Sequence, residues 1–440
     1  MKQELKYRLT RMMVVGFSLI IYNFSFSPAR AQVTGTSSSY SRFGLGLLSD
    51  QSQGFNKSMA GVGLGVRIGN RVNTTNPASY SAIDSLSFIL DVGMSASFGK
   101  MTQDTQTKGV KNASLDYVHA GMRIAKKLGL AVGFMPYTSI GYEFSTPEIT
   151  TGQNPQNTLI NSRVDTYYGN GGLNQAYLGL GWRALGNLSV GVNASFVWGK
   201  YGHTVMPSFK EGGVVSDDYN TTLKNYSAYL KTYKLDFGAQ YPVRLTKQDW
   251  LNVGATFGLG HKIAQDLELT TGLSVDTIPS PFDLPYSFGI GAAWQHKNTL
   301  LVAADVHEVF WSNCRLPLET PNGYAPMKGG YKNMTKIAVG AQWTPAPFDK
   351  SFWKRIQYRA GINYTTPYLV VNGQNGPTEL RMCAGVGLPI MRTNNRSTVN
   401  VGVEWLRRSS SAVGMVKENY FLINIGMTFN DLWFMKYKIE

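Results

Sequence analysis

Beyond residue 31, the chain has no run of the roughly 18 consecutive apolar residues that a membrane-spanning helix requires. This absence excludes a helical inner-membrane protein. The chain also has only two cysteines, Cys314 and Cys383, which lie far apart and show no metal-ligand spacing. A disulfide-rich framework is therefore excluded, while one disulfide and two free thiols both remain consistent with the sequence.

Recognisable catalytic motifs are missing as well. The chain has no His-Glu-x-x-His, no Gly-x-Ser-x-Gly and no P-loop, and its five histidines leave few candidates for a Ser/His pair. The glycine run at 61–65 is not followed by a predicted helix, so it fails as a nucleotide fingerprint. His307 and Glu308 are neighbours on a predicted strand and point to opposite faces. We therefore predict no enzymatic activity, no catalytic residue, no cofactor and no metal site.

What the chain has in abundance is a two-residue alternation of apolar with small or polar residues. Residues 188–198 follow it apart from Val197, and so do residues 88–98 and 286–295. The composition agrees, with 47 glycines, 12% aromatic and only 16% charged residues. Because lipid permits no unpaired strand edge, we predict an all-β fold in which an antiparallel transmembrane β-barrel closes on itself.

Alternation and turn chemistry predict fourteen strands, joined by connections that are alternately short and mostly longer. In outer-membrane barrels the short turns are periplasmic, and an even strand number places both termini there. The predicted strands lie near 87–99, 114–125, 129–144, 173–184, 188–200, 226–241, 250–265, 285–295, 299–311, 334–344, 356–365, 378–388, 397–407 and 419–429.

The first residues predict export. A positively charged start precedes an apolar stretch at 12–21 and the small-x-small site Ala29-Arg30-Ala31, so residues 1–31 read as a signal peptide. No cysteine lies near this site to indicate a lipid anchor. Together with the barrel, this predicts a location in the outer membrane of a Gram-negative bacterium.

The two ends of the mature chain differ from the barrel. Residues 32–86 do not alternate and are rich in glycine, so we predict an N-terminal plug folded into the lumen of a barrel that spans 87–429. The predicted last strand ends on an aromatic residue, as outer-membrane barrels do. Residues 430–440 then form a periplasmic tail whose aromatic residues would anchor at the membrane interface or pack under the barrel.

Short motifs add a family resemblance. The small-residue run at 59–65, the tripeptide Asn76-Pro77-Ala78 and the fourteen strands resemble the long-chain fatty-acid transporter family of outer-membrane proteins, of the FadL/TodX type. The stretches 133–137, 358–367 and 430–434 resemble its Bacteroidota branch. The plug motifs are spread over more residues than in those transporters, which leaves the ligand path open.

The resemblance implies a function. Family members take up hydrophobic compounds such as long-chain fatty acids passively, through a plugged barrel in which a gap in the wall releases the ligand sideways. Outer-membrane lipids and lipopolysaccharide would then surround the protein. Pro136 interrupts a predicted strand and marks a candidate kink or opening in the wall, although a strand-end proline without any role in transport fits equally well.

Several charged or ionisable side chains are predicted to point inward. Arg359 and Arg381 are candidates for binding a ligand carboxylate, and the alternative is that the inward charges pair with one another around the plug. The full predicted set is Asp91, His119, Arg123, Lys234, Asp236, Asp305, His307, Arg359, Arg381 and Glu404.

Other functions remain open. A formal net charge of +15 suggests nucleic acid, but much of the excess lies in predicted periplasmic turns, where it suits anionic lipid heads, and no base-stacking groove is apparent. A barrel of this kind could instead be a component or binding platform of a secretion or assembly complex. An exposed apolar patch would favour that role, with Phe310, Trp311, Leu316 and Tyr324 as candidates. A porin for hydrophilic solutes fits less well, because a plug would block the channel.

Overall fold

The computed structural model describes residues 38–146, 148, 160–211, 214–215, 223–272, 274–320, 323–371, 373–390, 397–412 and 414–432. The predicted signal peptide lies outside the described residues, and so do residues 433–440 of the predicted tail. The first three residues of that tail belong to the last strand, which runs to Leu432.

Fourteen strands form one closed antiparallel barrel. Each strand pairs with the next along the chain, and the last pairs with the first, from Ser87 opposite Leu432 to Thr102 opposite Lys417. The predicted fold class is confirmed. The strands are β1 (Ser87–Gln103), β2 (Gln106–Ala125), β3 in two parts (Leu128–Pro136 and Thr138–Ser145), β4 (Ile160–Leu185), β5 (Leu188–Glu211), β6 (Lys224–Arg244), β7 (Asp249–Gly258), β8 (Ser287–His296), β9 (Leu300–Val309), β10 (Met334–Trp343), β11 (Gln357–Thr365), β12 (Thr378–Pro389), β13 (Thr398–Ser409) and β14 (Lys417–Leu432).

The remaining elements are short. No helix in the described ranges is long and apolar enough to cross a membrane. Cys314 and Cys383 are both buried and both free, which decides between the two alternatives that the sequence left open. The helices are α1 (Gly54–Lys57), α2 (Phe352–Arg355) and the 3-10 turns Ser39–Arg42, Pro77–Ala82 and Trp311–Asn313; the short strands are Leu47–Leu48, Val214–Val215, His261–Ile263, Leu267–Thr271, Ser274–Ile278, Phe282–Leu284, Leu316–Thr320, Gly323–Met327, Val370–Val371 and Gln374–Asn375.

Alternation along each strand separates an apolar outer face from an inner face. On β4, Leu178, Leu180 and Trp182 are exposed on the outside, while Gly179 and Gly181 between them face Tyr80. The other strands repeat this pattern, so a band of large exposed apolar side chains surrounds the barrel. Water does not stabilise such a band, and the hydrocarbon of a membrane does.

Several strands are longer than predicted. The connection predicted at 100–113 is a hairpin with its turn at 104–105, and β4 and β5 extend into the predicted loops at 145–172 and 201–225. Alternation of apolar residues marks only the part of a strand that lipid covers. Polar residues beyond the lipid can still continue the hydrogen-bond ladder, which is why these extensions carried no apolar signal.

Two predicted strands are interrupted. The strand predicted at 129–144 breaks at Tyr137, and the one predicted at 250–265 ends at Gly258. We call the end of the barrel with the connections 126–127, 186–187, 245–248, 297–299, 344–356 and 390–397 the short-turn end, and the opposite end the long-loop end.

Residues 38–86, the N-terminal segment, lie against the inner faces of the strands. Their backbone approaches glycines of the wall so closely that a Cβ on Gly254 would collide with the carbonyl oxygen of Leu64, and one on Gly191 would collide with Pro77. Wall glycines are therefore needed where the segment passes, because any side chain would occupy its space.

This close approach makes a prediction for Gly254→Val. The added side chain must displace the backbone at Leu64, which we expect to cost about 1–3 kcal/mol of stability, as overpacking does in other tightly packed sites. Thermal unfolding in detergent measures the effect. The control is Gly109→Val on β2, where a Cβ has open space. Equal melting temperatures for the two variants would show that the segment is not held against β7.

Candidate functional site

The barrel wall is broken at β3, directly after Pro136. The pairing of Pro136 with Asn174 on β4 is followed by that of Ile140 with Gly171, so β3 contains one extra residue at this point. Gly171 and Gly172 have φ angles of +129° and +127°, a left-handed region that favours glycine. The break at Pro136 is thus accommodated by two glycines on the neighbouring strand.

The break removes the pairing between β2 and β3. The ladder between these strands runs from Leu128 only as far as Phe134. The second part of β3 keeps its pairing with β4 but has no pairing with β2. Within the described residues, positions 106–117 of β2 pair with β1 alone. One side-chain contact crosses this gap, in which Lys108 Nζ donates to the carbonyl of Glu143 at 3.3 Å.

The N-terminal segment pairs with the free edge of β3. Leu47 and Leu48 form an antiparallel pair with residues 138–139 of β3. Ser49 N donates to the carbonyl of Tyr137 at 3.0 Å, and Gln51 Nε2 donates to that of Pro136 at 3.0 Å. Residues 47–51, which we call the latch, therefore take the place of β2 along this edge.

A cavity of about 330 Å³ lies on the other side of the latch. Tyr137 and Tyr177 line it near the break, and all five latch residues line it as well. The latch therefore lines the cavity and also covers the edge of β3 at the gap in the wall. The cavity also has apolar and charged walls, formed among others by Leu284, Val309, Trp311, Leu369, Lys234, Asp236, Asp305, His307, Lys336, Glu379, Arg381 and Arg408.

Arg381, a predicted ligand contact, lines this cavity but already has partners. Its guanidinium lies 2.5 Å from Asp50 of the latch, 3.0 Å from Glu379 and 3.1 Å from Glu404. Burial alone would raise the pKa of Asp50, but the positive charges of Arg381 and Lys336 hold it below its usual range. The latch thus carries an ionised carboxylate on a buried arginine.

The ion pairs continue along β12, β13 and β14. Arg408 bonds Glu379 at 2.8 Å and Glu418 at 3.3 Å. Glu418 in turn accepts hydrogen bonds from Ser38 Oγ at 2.8 Å and from Ser39 Oγ at 3.0 Å. Both ends of the stretch 38–50 are therefore held by the same row of alternating charges.

Arg359, the other predicted ligand contact, lies elsewhere. It is buried and donates to Gln342 Oε1 at 2.8 Å and to Asn400 Oδ1 at 2.7 Å, and it also bonds Gln357. It does not line the cavity that Arg381 lines. The structure therefore does not bring the two arginines together in one site.

The tripeptide Asn76-Pro77-Ala78 begins a 3-10 turn deep in the lumen. Asn76 Oδ1 accepts from the backbone N–H of Ala78 at 3.1 Å, and its Nδ2 donates to the carbonyls of Leu64 at 2.9 Å and Ala239 at 3.1 Å. Asp305 of β9 accepts from the backbone N–H groups of Gly63 at 2.6 Å and Leu64 at 2.9 Å. These bonds fix the centre of the N-terminal segment to β6 and β9 of the wall.

The predicted exposed apolar patch is wrong where it can be checked. Trp311 is 2% exposed and Leu316 is 0% exposed. They pack in a cluster with Tyr331 and Leu369 from the long-loop end, so these loops fold inward over the cavity. The side chain of Tyr324 lies outside the described residues.

Asp50 and the rest of the latch were missed by the sequence interpretation. One signal was available, because Asp50 and Asp84 are the only acidic residues between positions 32 and 86. With so few acidic residues in a predicted plug, each one favours pairing with a cation of the wall.

Comparisons with known proteins agree with this architecture. A family model described as BamG matches residues 12–440. None of the curated proteins matches the chain. The fold is similar to that of the Pseudomonas putida toluene transporter TodX, with 13% identity, a TM-score of 0.56, and coverage of 88% of this chain and 100% of that one.

Two further structures show the same fold. CymD, described as a monoaromatic hydrocarbon channel, has 14% identity and a TM-score of 0.54 over 88% of this chain and 98% of that one. A FadL homologue from Pseudomonas aeruginosa has 12% identity and a TM-score of 0.54 over 87% of this chain and 99% of that one.

The geometry of Asp50 makes a prediction for Asp50→Asn. Loss of the charge weakens its bond to Arg381, so we expect the latch to open more often. A loss of about 2 kcal/mol would raise amide hydrogen exchange at residues 47–51 and 138–140 about 30-fold. Hydrogen exchange with mass spectrometry measures this. Asp104→Asn, in the exposed β1–β2 turn, is the control, and identical exchange in both variants would show that the ion pair does not hold the latch.

Proposed function

The chain belongs to the BamG family, and we propose that it is an outer-membrane channel for the passive uptake of hydrophobic compounds, with long-chain fatty acids as the expected substrates. One observation carries the proposal. The latch separates an internal cavity from a break in the barrel wall, so displacement of five residues would connect the two.

In this proposal the N-terminal segment is the plug that the sequence predicts, and only its first part moves. The centre of the segment is bonded to Asp305, Gln240 and Asn252 and lies in a groove of wall glycines. The latch has few backbone bonds, and these can be exchanged for bonds to water or ligand. A ligand would enter at the long-loop end, occupy the cavity and leave through the gap between β2 and β3 into the bilayer.

The chemistry of the cavity suits an amphipathic ligand. Apolar surface from Leu47, Leu48 and Leu284 would bury a hydrocarbon chain, at roughly 25 cal/mol per Å². When the latch leaves, Asp50 leaves with it and Arg381 loses one of its three carboxylates. A ligand carboxylate would then take that position, which keeps the head-group role expected for Arg381. Movement down a gradient needs no catalysis and no cofactor.

The names of the similar structures support the ligand class. TodX is described as a toluene transporter and CymD as a monoaromatic hydrocarbon channel. Hydrophobic small molecules are thus the proposed substrates, and the apolar outer band places the barrel in a lipid membrane, proposed to be the outer membrane of a Gram-negative bacterium.

A cross-link tests the latch as a gate. In Leu48→Cys/Thr138→Cys the two positions lie directly opposite each other in an antiparallel pair, close enough for a disulfide. The test is uptake of a radiolabelled long-chain fatty acid by a Gram-negative host that lacks its own channels for such compounds. We expect oxidation to lower uptake at least about tenfold and a reductant to restore it.

The matched control is Gln103→Cys/Gln106→Cys, which cross-links the β1–β2 hairpin away from the latch. Its uptake should be the same with and without reductant. If the oxidised and reduced forms of the latch variant transport equally, the latch is not the gate. If wild-type protein gives no uptake above the empty host, the uptake function itself is overturned.

A second candidate function is that of a non-transporting platform in an outer-membrane protein secretion or assembly complex. An aromatic cluster on the outer wall favours it: Trp198 stacks on Phe196 with ring centroids 5.5 Å apart and lies 6.0 Å from Phe134, next to the break. Such a cluster offers contact area for another membrane protein.

Cross-linking and co-purification from native membranes distinguish the two functions. The platform predicts a stoichiometric protein partner that Phe196→Ala weakens, together with unchanged uptake when the gene is deleted. The channel predicts an uptake defect on deletion. Phe421→Ala, at an exposed outer position of β14 away from this cluster, serves as the matched substitution.

A further inference from the structure

The short-turn end contains an open recess beneath the N-terminal segment. It consists of two adjoining cavities, of about 740 Å³ and 610 Å³, which share Arg67, Gly69 and Asp84 of that segment and Gln295 of β8. Residues from the short connections, including Lys247 and those at 297–299, form its rim. We call this recess the vestibule. It is separate from the cavity behind the latch.

Cations dominate the vestibule. Six basic side chains line it, against two acidic ones, Asp84 and Asp349. Asp349 already accepts from Lys354 Nζ at 3.1 Å and from the backbone N–H of Ser351 at 2.8 Å. The basic side chains are those of Arg67, Arg71, Arg183, Lys247, Lys297 and Arg355.

Two of these arginines are bound only by neutral groups. Arg67 donates to the carbonyl of Ala78 at 3.3 Å, to Gln240 Oε1 at 3.2 Å and to Ser81 Oγ at 2.9 Å. Arg71 bonds Gln357 and lies over the ring of Phe55 at 5.1 Å. Among the side chains that the structure describes, no carboxylate comes within ion-pair distance of either arginine.

Arg71 also has an unused donor. The residue is 3% exposed, and its Nη1 has no acceptor in the described part of the chain. The buried carboxyl of Asp91 attracts Arg71 and offsets part of the cost of burying this cation, but the unmade hydrogen bond still costs free energy. Burial lowers the pKa of Arg71 to about 10, so it still carries its charge at neutral pH.

Arg67 is likewise a cation whose hydrogen bonds all go to neutral groups. Burial, with the charge of Arg183 as a second cause, lowers its pKa to about 10. An oxyanion in the vestibule, which both arginines line, would accept from donors such as Arg71 Nη1 and offset the repulsion between Arg67 and Arg183. Arginine favours phosphate and carboxylate for this purpose, because its planar fork matches two of their oxygens.

The rim suggests where the anion comes from. Phe348 lines the vestibule and is 86% exposed, and Trp353 nearby on α2 is 72% exposed. Aromatic residues beside basic ones are typical of the interface where lipid head groups lie.

We propose that the vestibule binds a phosphate group through Arg67 and Arg71. The group belongs to an anionic phospholipid of the adjacent leaflet or to a soluble phosphate ester, and the exposed aromatic rim favours the lipid. This site does not depend on the uptake function, because it shares no residue with the cavity behind the latch.

Native mass spectrometry of the full-length protein tests the proposal. The protein is released from nanodiscs of phosphatidylcholine that contain or lack phosphatidylglycerol, and glycerol phosphate is added to the second kind. We expect retained phosphatidylglycerol, and at least about a tenfold lower affinity in Arg67→Gln/Arg71→Gln, since loss of even one charge-assisted contact has that effect. Lys100→Gln/Lys111→Gln, at exposed positions of β1 and β2, removes the same charge elsewhere and should change nothing.

A second measurement covers the case in which the double variant does not fold. Phosphatidylglycerol should then raise the melting temperature of the wild-type protein in neutral detergent, as any ligand of the folded state does. Binding of phosphatidylglycerol alone assigns the lipid, and equal binding of glycerol phosphate assigns the phosphate group irrespective of its source. No retention and no stabilisation by either compound would overturn the site. Retention that the Arg67 and Arg71 substitutions leave unchanged would overturn it too.

Discussion

The rest of the structure depends on one constraint, which is that a strand edge in a barrel wall must find hydrogen-bond partners. Lipid supplies none, so each strand of the barrel pairs with the strands on both sides of it. Between β2 and β3 this pairing stops at Phe134. There the latch satisfies the edge of β3 from inside. The N-terminal segment consequently fills the lumen and also completes the hydrogen bonding of the wall.

A second constraint follows from placing a polypeptide inside a barrel of fourteen strands. Where the segment crosses β5, β7 and β10, the wall has glycine at Gly191, Gly254 and Gly340, and a Cβ there would meet the backbone of the segment. Glycine weakens a strand, but the close backbone approach lets wall side chains such as Asn252 and Gln240 bond the segment's carbonyls. Part of the polar interior is therefore satisfied by the segment's backbone.

The sequence predicts the wall well because the lipid and the pleat impose a period of two on every strand. It predicts the break poorly. Met135, Pro136 and Tyr137 read as one continuous strand, and only the proline hints at an interruption. The latch was not predictable from periodicity, since a strand of two residues, Leu47–Leu48, has no period. Trp311 and Leu316 illustrate another limit: an apolar loop residue looks the same in sequence whether it points outward or folds over a cavity.

The candidate site combines two kinds of attachment that differ in how they can be released. Residues 59–80 are held by hydrogen bonds in a glycine groove, and their release would leave buried groups unpaired on both sides. The latch is held by a short ladder and by the charge of Asp50 on Arg381. A ligand carboxylate can replace Asp50 without changing the charge balance around Arg381. A neutral hydrocarbon would separate Asp50 from Arg381 and supply no carboxylate in exchange. In the proposed channel, the arrangement around Arg381 would therefore favour an amphipathic acid over a purely apolar ligand.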